Sequence, residues 1–472
     1  MTPPQPIRPQ QPHPQGTGHF ILHSSYALRA TSPEGSGHFI FHFSSAFRAA
    51  LGHLALSALT VFTALTATGC ADTTSPATPD PSRCDLVVVA SDYSSTAVSL
   101  LHADGTLCAP DVLTSGSRPP GLLTALSGDV VLPSSASPDA HIRLIDRFPN
   151  AVLTVVEPRT ASVQAQARLS PDFVGNPQDL IVFPDTDLIL VSRLEFDSRS
   201  PDIGSDLALF RRSDLTPLGR VDLAPFADDG LDPMPTRFAE AHSLIWVGLT
   251  HLSRDFTTPG PGRILALTRN ESAFTVVARG ELPDLQNCGH IASPPSNDVV
   301  WVVCSGLFRD SVTPRIERSG LARFASPSLA APPASSAALP ITLTPDRLVR
   351  ASALGRPLAF SLAPLTADTV AAILLGDLVD GTPDRLVLIT ISADSTPDVT
   401  TLAEGNTFDL GGLLYLPESS LLLLSDGNRY TPRLRRFDLT RTAPLELAPV
   451  NVSPSGLPPR HLQRFRPAPP EL

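Results

Sequence analysis

The sequence predicts an all-β protein: a single β-propeller of about seven four-stranded blades, preceded by a disordered or signal segment. Three observations support this prediction. An apolar run, a polar loop with Asp and Pro, and a second short apolar run recur along the chain. The 50 prolines and 29 glycines place frequent turns between these runs. Stretches with the apolar spacing of a helix are scarce.

The recurring unit is easiest to follow through the prolines of its loops. These are Pro138, Pro201, Pro259, Pro314, Pro383 and Pro432, which are 49–69 residues apart. A further unit, Asp85–Leu101, has a short turn and no proline. Short strands repeating with a period of about fifty residues are typical of propeller blades. We therefore assign residues 84–466 to a propeller and 467–472 to a tail; the alternative is an array of β-sandwiches.

Two further features are read from this repeat. The longest interval contains the Ala- and Pro-rich segment 331–338, which we interpret as an insertion between blades. The segment Arg460–Phe465 is a candidate for the strand that closes the ring against the first unit. Trp246 and Trp301 occupy matching positions inside apolar runs, so we expect both indole rings in the core.

The polar loop of each unit is expected to join the second and third strands of its blade. Loops of that kind gather on one face of a propeller, around the central channel, where rigid scaffolds commonly carry function. The charged residues of this candidate binding face are Asp197, Arg199, Arg254, Asp255, Arg309, Asp310, Asp377, Asp380, Asp426 and Arg429. For any one of them turn chemistry is a sufficient explanation, whereas the face as a whole indicates an interaction surface.

The cysteines predict two local disulfides. Besides Cys70, the chain has Cys84, Cys108, Cys288 and Cys304, an even number. Each neighbouring pair brackets a candidate hairpin, which favours Cys84–Cys108 and Cys288–Cys304 among three possible connectivities. Zinc is the competing interpretation, but the Cys-x-x-Cys spacing typical of structural zinc sites is missing.

The N-terminal region has the layout of a secretory signal. Residues 51–68 are apolar and uncharged, and Arg48 precedes them. A membrane-spanning helix is the alternative, although His53, Ser57 and several threonines dilute the run. Residues 1–50 contain a short duplicated segment, and we interpret them as disordered or as a mis-assigned start.

The run ends in Ala67-Thr68-Gly69-Cys70, which resembles the lipobox of bacterial lipoproteins. The match departs at Ala67, where that pattern prefers Leu. The resemblance implies a signal peptide over 51–70, an acylated Cys70 at the mature N-terminus and a flexible tether over 71–83. Ala71, where an acidic residue would favour inner-membrane retention, indicates the outer membrane. The protein is therefore expected in the cell envelope, facing the periplasm or the surface.

The repeat as a whole resembles the surface propeller lipoproteins of bacteria, including the YVTN-type propellers. Asn176–Leu180 followed by Ile189–Ser192 is similar to the start of a blade in that group. The resemblance covers about residues 84–466. Its motifs are degenerate, so it informs fold more than function.

Composition and motifs narrow the function. The net charge is −11, which argues against nucleic acid as a partner. The sequence lacks Gly-x-Ser-x-Gly, His-Glu-x-x-His and P-loop motifs, so we assign no catalytic residue and no metal.

We predict a non-enzymatic module that binds a protein or glycan at the cell surface and is attached to the membrane through its lipid. The alternative is a lactonase-like hydrolase with a metal in the central channel, suggested by the Asp-rich loops; a scaffold subunit of an envelope complex is a third possibility.

No cofactor is assigned, although one acidic loop has the composition of a calcium ligand. Ala227–Asp232 could offer several carboxylate oxygens but lacks the alternating spacing of an EF-hand, which favours a solvated turn. His242, His251 and His290 are too scattered in sequence to be assigned as metal ligands.

The anchor is testable by intact mass. In a bacterium that processes lipoproteins, we expect the membrane-extracted protein to match a chain that begins at acylated Cys70. Cys70→Ala should abolish that mass, because the thiol that carries the lipid is gone. A mass that retains residues 51–69 would contradict the signal peptide.

Overall fold

The computed structural model describes residues 81–325, 340–394 and 396–465. Within them the chain forms seven antiparallel sheets of four strands, one of which gains a fifth strand, so the predicted seven-bladed all-β propeller is confirmed. The signal segment, Cys70, most of the tether and the tail 467–472 lie outside the described residues. None of the described helices is long and apolar enough to span a bilayer.

The blades follow one another along the chain. The first three contain β1 (Leu86–Ser91), β2 (Thr96–Leu101) and β3 (Leu107–Thr114); β4 (Val130–Val131), β5 (Ile142–Asp146), β6 (Val152–Glu157) and β7 (Ser162–Arg168); and β8 (Pro177–Phe183), β9 (Leu188–Phe196), β10 (Gly204–Arg211) and β11 (Pro217–Val221). The fourth and fifth contain β12 (Pro235–Ala241), β13 (Leu244–Leu249), β14 (Gly262–Asn270) and β15 (Ala273–Leu282); and β16 (His290–Ala292), β17 (Val299–Ser305), α1 (Val312–Arg318), β18 (Ser319–Ala325) and β20 (Arg347–Arg350). Between β18 and β20 the chain forms β19 (Ile341–Leu343), which pairs with β15 as the fifth strand of the fourth blade. The last two contain α2 (Ala351–Leu354), β21 (Leu358–Pro364), β22 (Thr369–Leu374), β23 (Asp384–Ile391) and β24 (Pro397–Gly405); and β25 (Leu410–Leu416), β26 (Leu421–Asp426), β27 (Arg433–Asp438) and β28 (Leu445–Val450). The final strand, β29 (Pro459–Arg464), returns to the first blade.

The second strands of the blades are the most apolar because both of their faces are covered. Every residue of β13, β17 and β26 is buried. A strand covered on both sides reads as a continuous apolar run rather than an alternating one. The outermost strands β24 and β28 are largely exposed; the sequence of β24 is correspondingly polar, whereas β28 keeps apolar residues such as Leu445 at the surface.

The core is divided into seven layers, one between each pair of neighbouring blades. Trp246 packs against Phe324 between the fourth and fifth blades, with ring centroids 6.5 Å apart. Trp301 fills the layer between the fifth and sixth blades. Both indoles are fully buried, as predicted. Each blade therefore depends on its two neighbours for burial.

The C-terminal strand closes the ring. β29 is the innermost strand of the first blade and pairs antiparallel with β1, with Val88 opposite Leu462 and Val89 opposite His461. The prediction that Arg460–Phe465 closes the ring is confirmed. Phe465 is fully buried between the first two blades, so closure adds apolar packing to the backbone hydrogen bonds.

Both predicted disulfides are present. Cys84–Cys108 links the segment just before β1 with strand β3 of the same blade. Cys288–Cys304 bridges the start of the innermost strand of the fifth blade to its second strand. The zinc interpretation of these cysteines is therefore wrong.

One reading of the repeat, the position of the Pro138 loop, was wrong. The loop with Pro138 joins β4 and β5, the first and second strands of its blade. The sequence did not distinguish it from a loop between second and third strands, because apolar runs flank both ends of a second strand. The loop that joins the second and third strands there is 147–151. The segment 331–338, interpreted as an insertion between blades, lies outside the described residues. The strand that follows it, β19, pairs with β15 of the fourth blade, and β20 then returns to β18 of the fifth.

Ring closure is testable by stability. We expect Phe465→Ala to lower the free energy of unfolding by about 3–5 kcal/mol, because it leaves a cavity at the closing strand. Urea unfolding monitored by circular dichroism measures the change. Phe408→Ala is the matched control: this phenylalanine is 40% exposed, so the expected loss is within about 0.5 kcal/mol. Equal losses in both variants would contradict the role of closure.

Candidate functional site: the upper face and the channel mouth

One end of the ring collects two kinds of connection. Adjacent strands are antiparallel, so the loops between second and third strands lie at the same end as the connections from each fourth strand to the next blade. We call this end the upper face. The innermost strands begin here, and they line the central channel side by side. All ten charged residues of the predicted binding face lie in or beside loops of this end.

Three of those residues come together at one cleft. Asp197, Arg199 and Arg254 line a depression of about 350 Å³ that Phe173 and Phe196 complete on its apolar side. Arg199 Nε donates to Asp197 Oδ1 at 3.0 Å, and this hydrogen bond lowers the pKa of that carboxyl. The cleft therefore combines an ion pair, a second cation and aromatic surface.

Arg254 is held at the cleft by two contacts. Its guanidinium carbon lies 3.8 Å from the centroid of the Phe196 ring, and its Nε lies 3.2 Å from Asp232 Oδ2. Asp232 belongs to the loop considered for calcium. Asp228 of the same loop is 3.1 Å from Arg263 Nη2. Both carboxylates thus pair with arginines; a calcium site there stays an untested prediction.

The neighbouring loops bring Asp255, Arg309 and Asp310 close to this region. Asp255 accepts hydrogen bonds from Ser253 Oγ at 2.6 Å and from Thr257 within its own loop, which lowers its pKa to about 2. Arg309 donates to the Thr257 carbonyl and so connects the loops of two blades. The Asp310 amide closes a turn onto Leu307 at 3.0 Å.

The remaining four predicted residues bond within their own loops. Asp377 accepts from the Val379 amide and Asp380 from the Thr382 amide, at 2.8 and 2.9 Å. Asp426 pairs with Arg433 Nε at 3.1 Å, and Arg429 lies over the Tyr430 ring at 5.9 Å. These contacts lie within each loop and its flanking strands, away from the cleft. Turn chemistry accounts for most of these carboxylates, as the sequence allowed.

The upper face also displays apolar side chains that the sequence analysis did not single out. Its connections carry the exposed residues Leu123, Phe148, Val174, Leu378, Val379, Phe408 and Tyr430. Val379 is 95% exposed and Tyr430 is 84% exposed. Among the described residues, the other exposed large apolar side chains lie on outermost strands, and none lies in a loop of the opposite face. The two ends of the ring therefore differ chemically.

The channel mouth contains a set of arginine and histidine side chains that the sequence analysis did not bring together. Gln178, Arg237, His290, Phe360 and His461 all lie within the first three positions of their innermost strands. Arg147 reaches the same place from the loop after β5 and donates to Gln178 Oε1 at 3.1 Å. In the sequence, these residues share only their position at the start of an innermost strand. Finding them therefore requires that the strands be assigned first.

Burial and the nearby arginines set the protonation of the two histidines at the mouth. Burial holds the pKa of His290 and of His461 well below the usual range, and the charges of Arg147 and Arg237 lower both further. The His290 ring lies 4.6 Å from the Phe360 ring, centroid to centroid. At neutral pH both imidazoles are consequently uncharged, and the arginines supply the positive charge of the mouth.

Among the described residues, no three His, Cys, Asp or Glu side chains are grouped so that they could hold a metal ion. The channel mouth instead presents arginines and neutral histidines. The hydrolase alternative with a channel metal is untested by these observations and stays a prediction. Loss of metal binding on alanine substitution of Asp197, Asp255 and Asp310 would support it.

Comparisons with known proteins show likeness of fold only. No family model and no curated protein matches the chain. Three solved structures are similar in chain path. Dihydro-heme d1 dehydrogenase NirN is 15% identical, with 82% of this chain and 76% of that chain covered and a TM-score of 0.44. The periplasmic gluconolactonase PpgL of Pseudomonas aeruginosa is 13% identical, with 81% and 99% covered and a TM-score of 0.43. A protein from Lactobacillus plantarum is 12% identical, with 81% and 99% covered and a TM-score of 0.49.

The channel histidines predict a pH dependence of stability. A histidine whose folded-state pKa is depressed binds more protons when unfolded, so stability is present above the unfolded pKa and falls as the pH drops below about 6.5. We expect the free energy of unfolding to decline towards pH 5 by up to about 1.4 kcal/mol per pH unit for each histidine. His461→Gln should decline less steeply in urea titrations at pH 7, 6 and 5. The exposed His242→Gln serves as the histidine control, and a His461→Gln slope equal to that of the unaltered protein would contradict the assignment.

Proposed function

We propose that this chain is a lipid-anchored, extracytoplasmic propeller that acts as a non-enzymatic binding module and engages a protein or glycan through its upper face. The observation that supports it best is the asymmetry of the two faces. Exposed aromatic and aliphatic side chains lie on the loops of the upper face, whereas the described loops of the opposite face carry no exposed large apolar side chain. Exposed apolar groups rimmed by polar residues are typical of interaction sites.

The chemistry of the face favours a partner that offers both apolar and polar groups. Tyr430 is 84% exposed beside Arg429, and aromatic residues with arginine are enriched where interfaces derive their affinity. The cleft at Arg254 adds a cation stacked on the Phe196 ring. Protein surfaces and glycans both present such mixed chemistry, whereas the net charge of −11 disfavours nucleic acid.

Two features support a location outside the cytoplasm. Cys84–Cys108 and Cys288–Cys304 are disulfides, which persist in oxidising compartments and are rare in the cytosol. The second feature is the segment that ends in Cys70, whose resemblance to a lipobox supports an anchor in the outer membrane. The propeller would then be held at the membrane by the lipid and the tether.

Site-specific photo-crosslinking in the native cell envelope tests the binding face. We expect a photoreactive residue at Val379 or at Tyr430 of the full-length protein to give a discrete product with a protein or glycan partner. Both positions protrude from the upper face, so a bound partner would lie within reach. Arg159 is the matched control, because it is exposed in a turn on the opposite face.

The pattern of products decides between outcomes. Products at Val379 and Tyr430 that are missing at Arg159 support the binding module. Identical products at all three positions indicate random collisions and would contradict it, as would an absence of products from the upper face.

A further inference from the structure

We propose that the mouth of the central channel binds a small oxyanionic ligand, a carboxylate or a phosphate, between Arg237, His290 and His461. This site is separate from the macromolecular surface proposed above and does not depend on it. Arg237 and His461 supply the donors and His290 lies beside them; the three residues come from the innermost strands of three blades, so a bound ligand would lie on the axis of the ring.

Arg237 supplies the first argument because part of its guanidinium is unused. The side chain is 17% exposed, and Nη1 donates to the Leu132 carbonyl at 2.9 Å. Among the described residues, no acceptor is recorded for Nε or Nη2. A guanidinium edge with two parallel N–H donors matches the geometry of a carboxylate or phosphate.

The charge of Arg237 is also incompletely neutralised. Its nearest carboxylate is Asp179, at 3.8 Å, beyond hydrogen-bonding distance. The Asp179 oxygens accept instead from the amides of Ser134, Leu180 and Phe238, each at 2.8 Å. Burial raises the pKa of Asp179 and lowers that of Arg237, which is the direction expected when each lacks full compensation. An anion in the channel would supply the missing negative charge.

The remaining walls suit such a ligand. The His461 ring has no hydrogen-bond partner among the described residues, so its neutral imidazole offers one N–H donor. The His290 ring is hydrogen-bonded to the Phe360 backbone and serves as a wall of the site. Phe360 lies against both the His290 ring and the Phe308 ring, at 4.6 and 4.9 Å between centroids. These rings reduce water at one side of the mouth, which strengthens the attraction between a guanidinium and an anion.

Two probes separate the possible head groups. Isothermal titration of the intact propeller with inorganic phosphate and, separately, with benzoate measures binding of each anion. Benzyl alcohol is the neutral control, because it keeps the ring of benzoate without its charge. We expect at least one anion to bind at a single site and benzyl alcohol not to bind. The anion that binds more tightly identifies the head group.

Variants locate the site. Arg237→Gln should weaken binding of the anion by about tenfold or more, because a charged hydrogen-bonding partner is removed. Arg159→Gln removes the same charge from an exposed turn on the opposite face and should leave the affinity unchanged. His461→Gln is the second variant in case Arg237→Gln does not fold, because no recorded hydrogen bond is lost; a weakening of about threefold or more is expected.

The result that would overturn the proposal is equally specific. Failure of both anions to bind at about 10 mM would exclude a site of useful affinity. Equal weakening by Arg159→Gln and Arg237→Gln would assign the anion to general surface charge. Unchanged affinity in folded Arg237→Gln and His461→Gln would place it elsewhere. None of these outcomes bears on crosslinking at Val379 and Tyr430, so the two proposals fail independently.

Discussion

The antiparallel pairing of β29 with β1 is the constraint on which the remainder of the propeller depends. Without β29 the first blade would lack its innermost strand, and the inner edge of β1 would be unpaired. β29 pairs with β1 on the channel side of the first blade, and Phe465, which follows β29, is buried between the first two blades. The same strand carries His461 into the channel mouth. Closure and the proposed anion site therefore depend on one segment.

The way the core is distributed explains where function can reside. Seven apolar layers lie between the blades, so the buried residues fix the positions of the strands and leave both ends of the ring to the loops. Loops on a rigid scaffold can vary without loss of the core. On the upper face they display apolar groups such as Val379 and Tyr430, which stabilise nothing in the propeller itself.

Charged groups of the upper face fall into two classes. Carboxylates such as Asp255 and Asp380 accept amide hydrogen bonds within their own turns, which is the usual use of Asp in loops. Arg237 and His461 differ: Arg237 Nη1 donates to the Leu132 carbonyl, but among the described residues no acceptor lies against its Nε and Nη2 or against the His461 ring. Residues that satisfy each other indicate structure, whereas donors that converge without an acceptor indicate a ligand. The channel mouth is thus a stronger candidate for small-molecule chemistry than the Asp-rich loops.

The sequence by itself determined the all-β class and predicted about seven blades, the closing strand and both disulfides. Apolar runs, turn residues and cysteine spacing are local patterns, and each repeats along the chain. It did not determine which loops join which strands near Pro138, because apolar runs flank both ends of a second strand. Only the tertiary structure decided that Arg147, Arg237, His290 and His461 share one space. They are far apart in the chain, and the ring brings them together because each innermost strand begins at the same end of the channel.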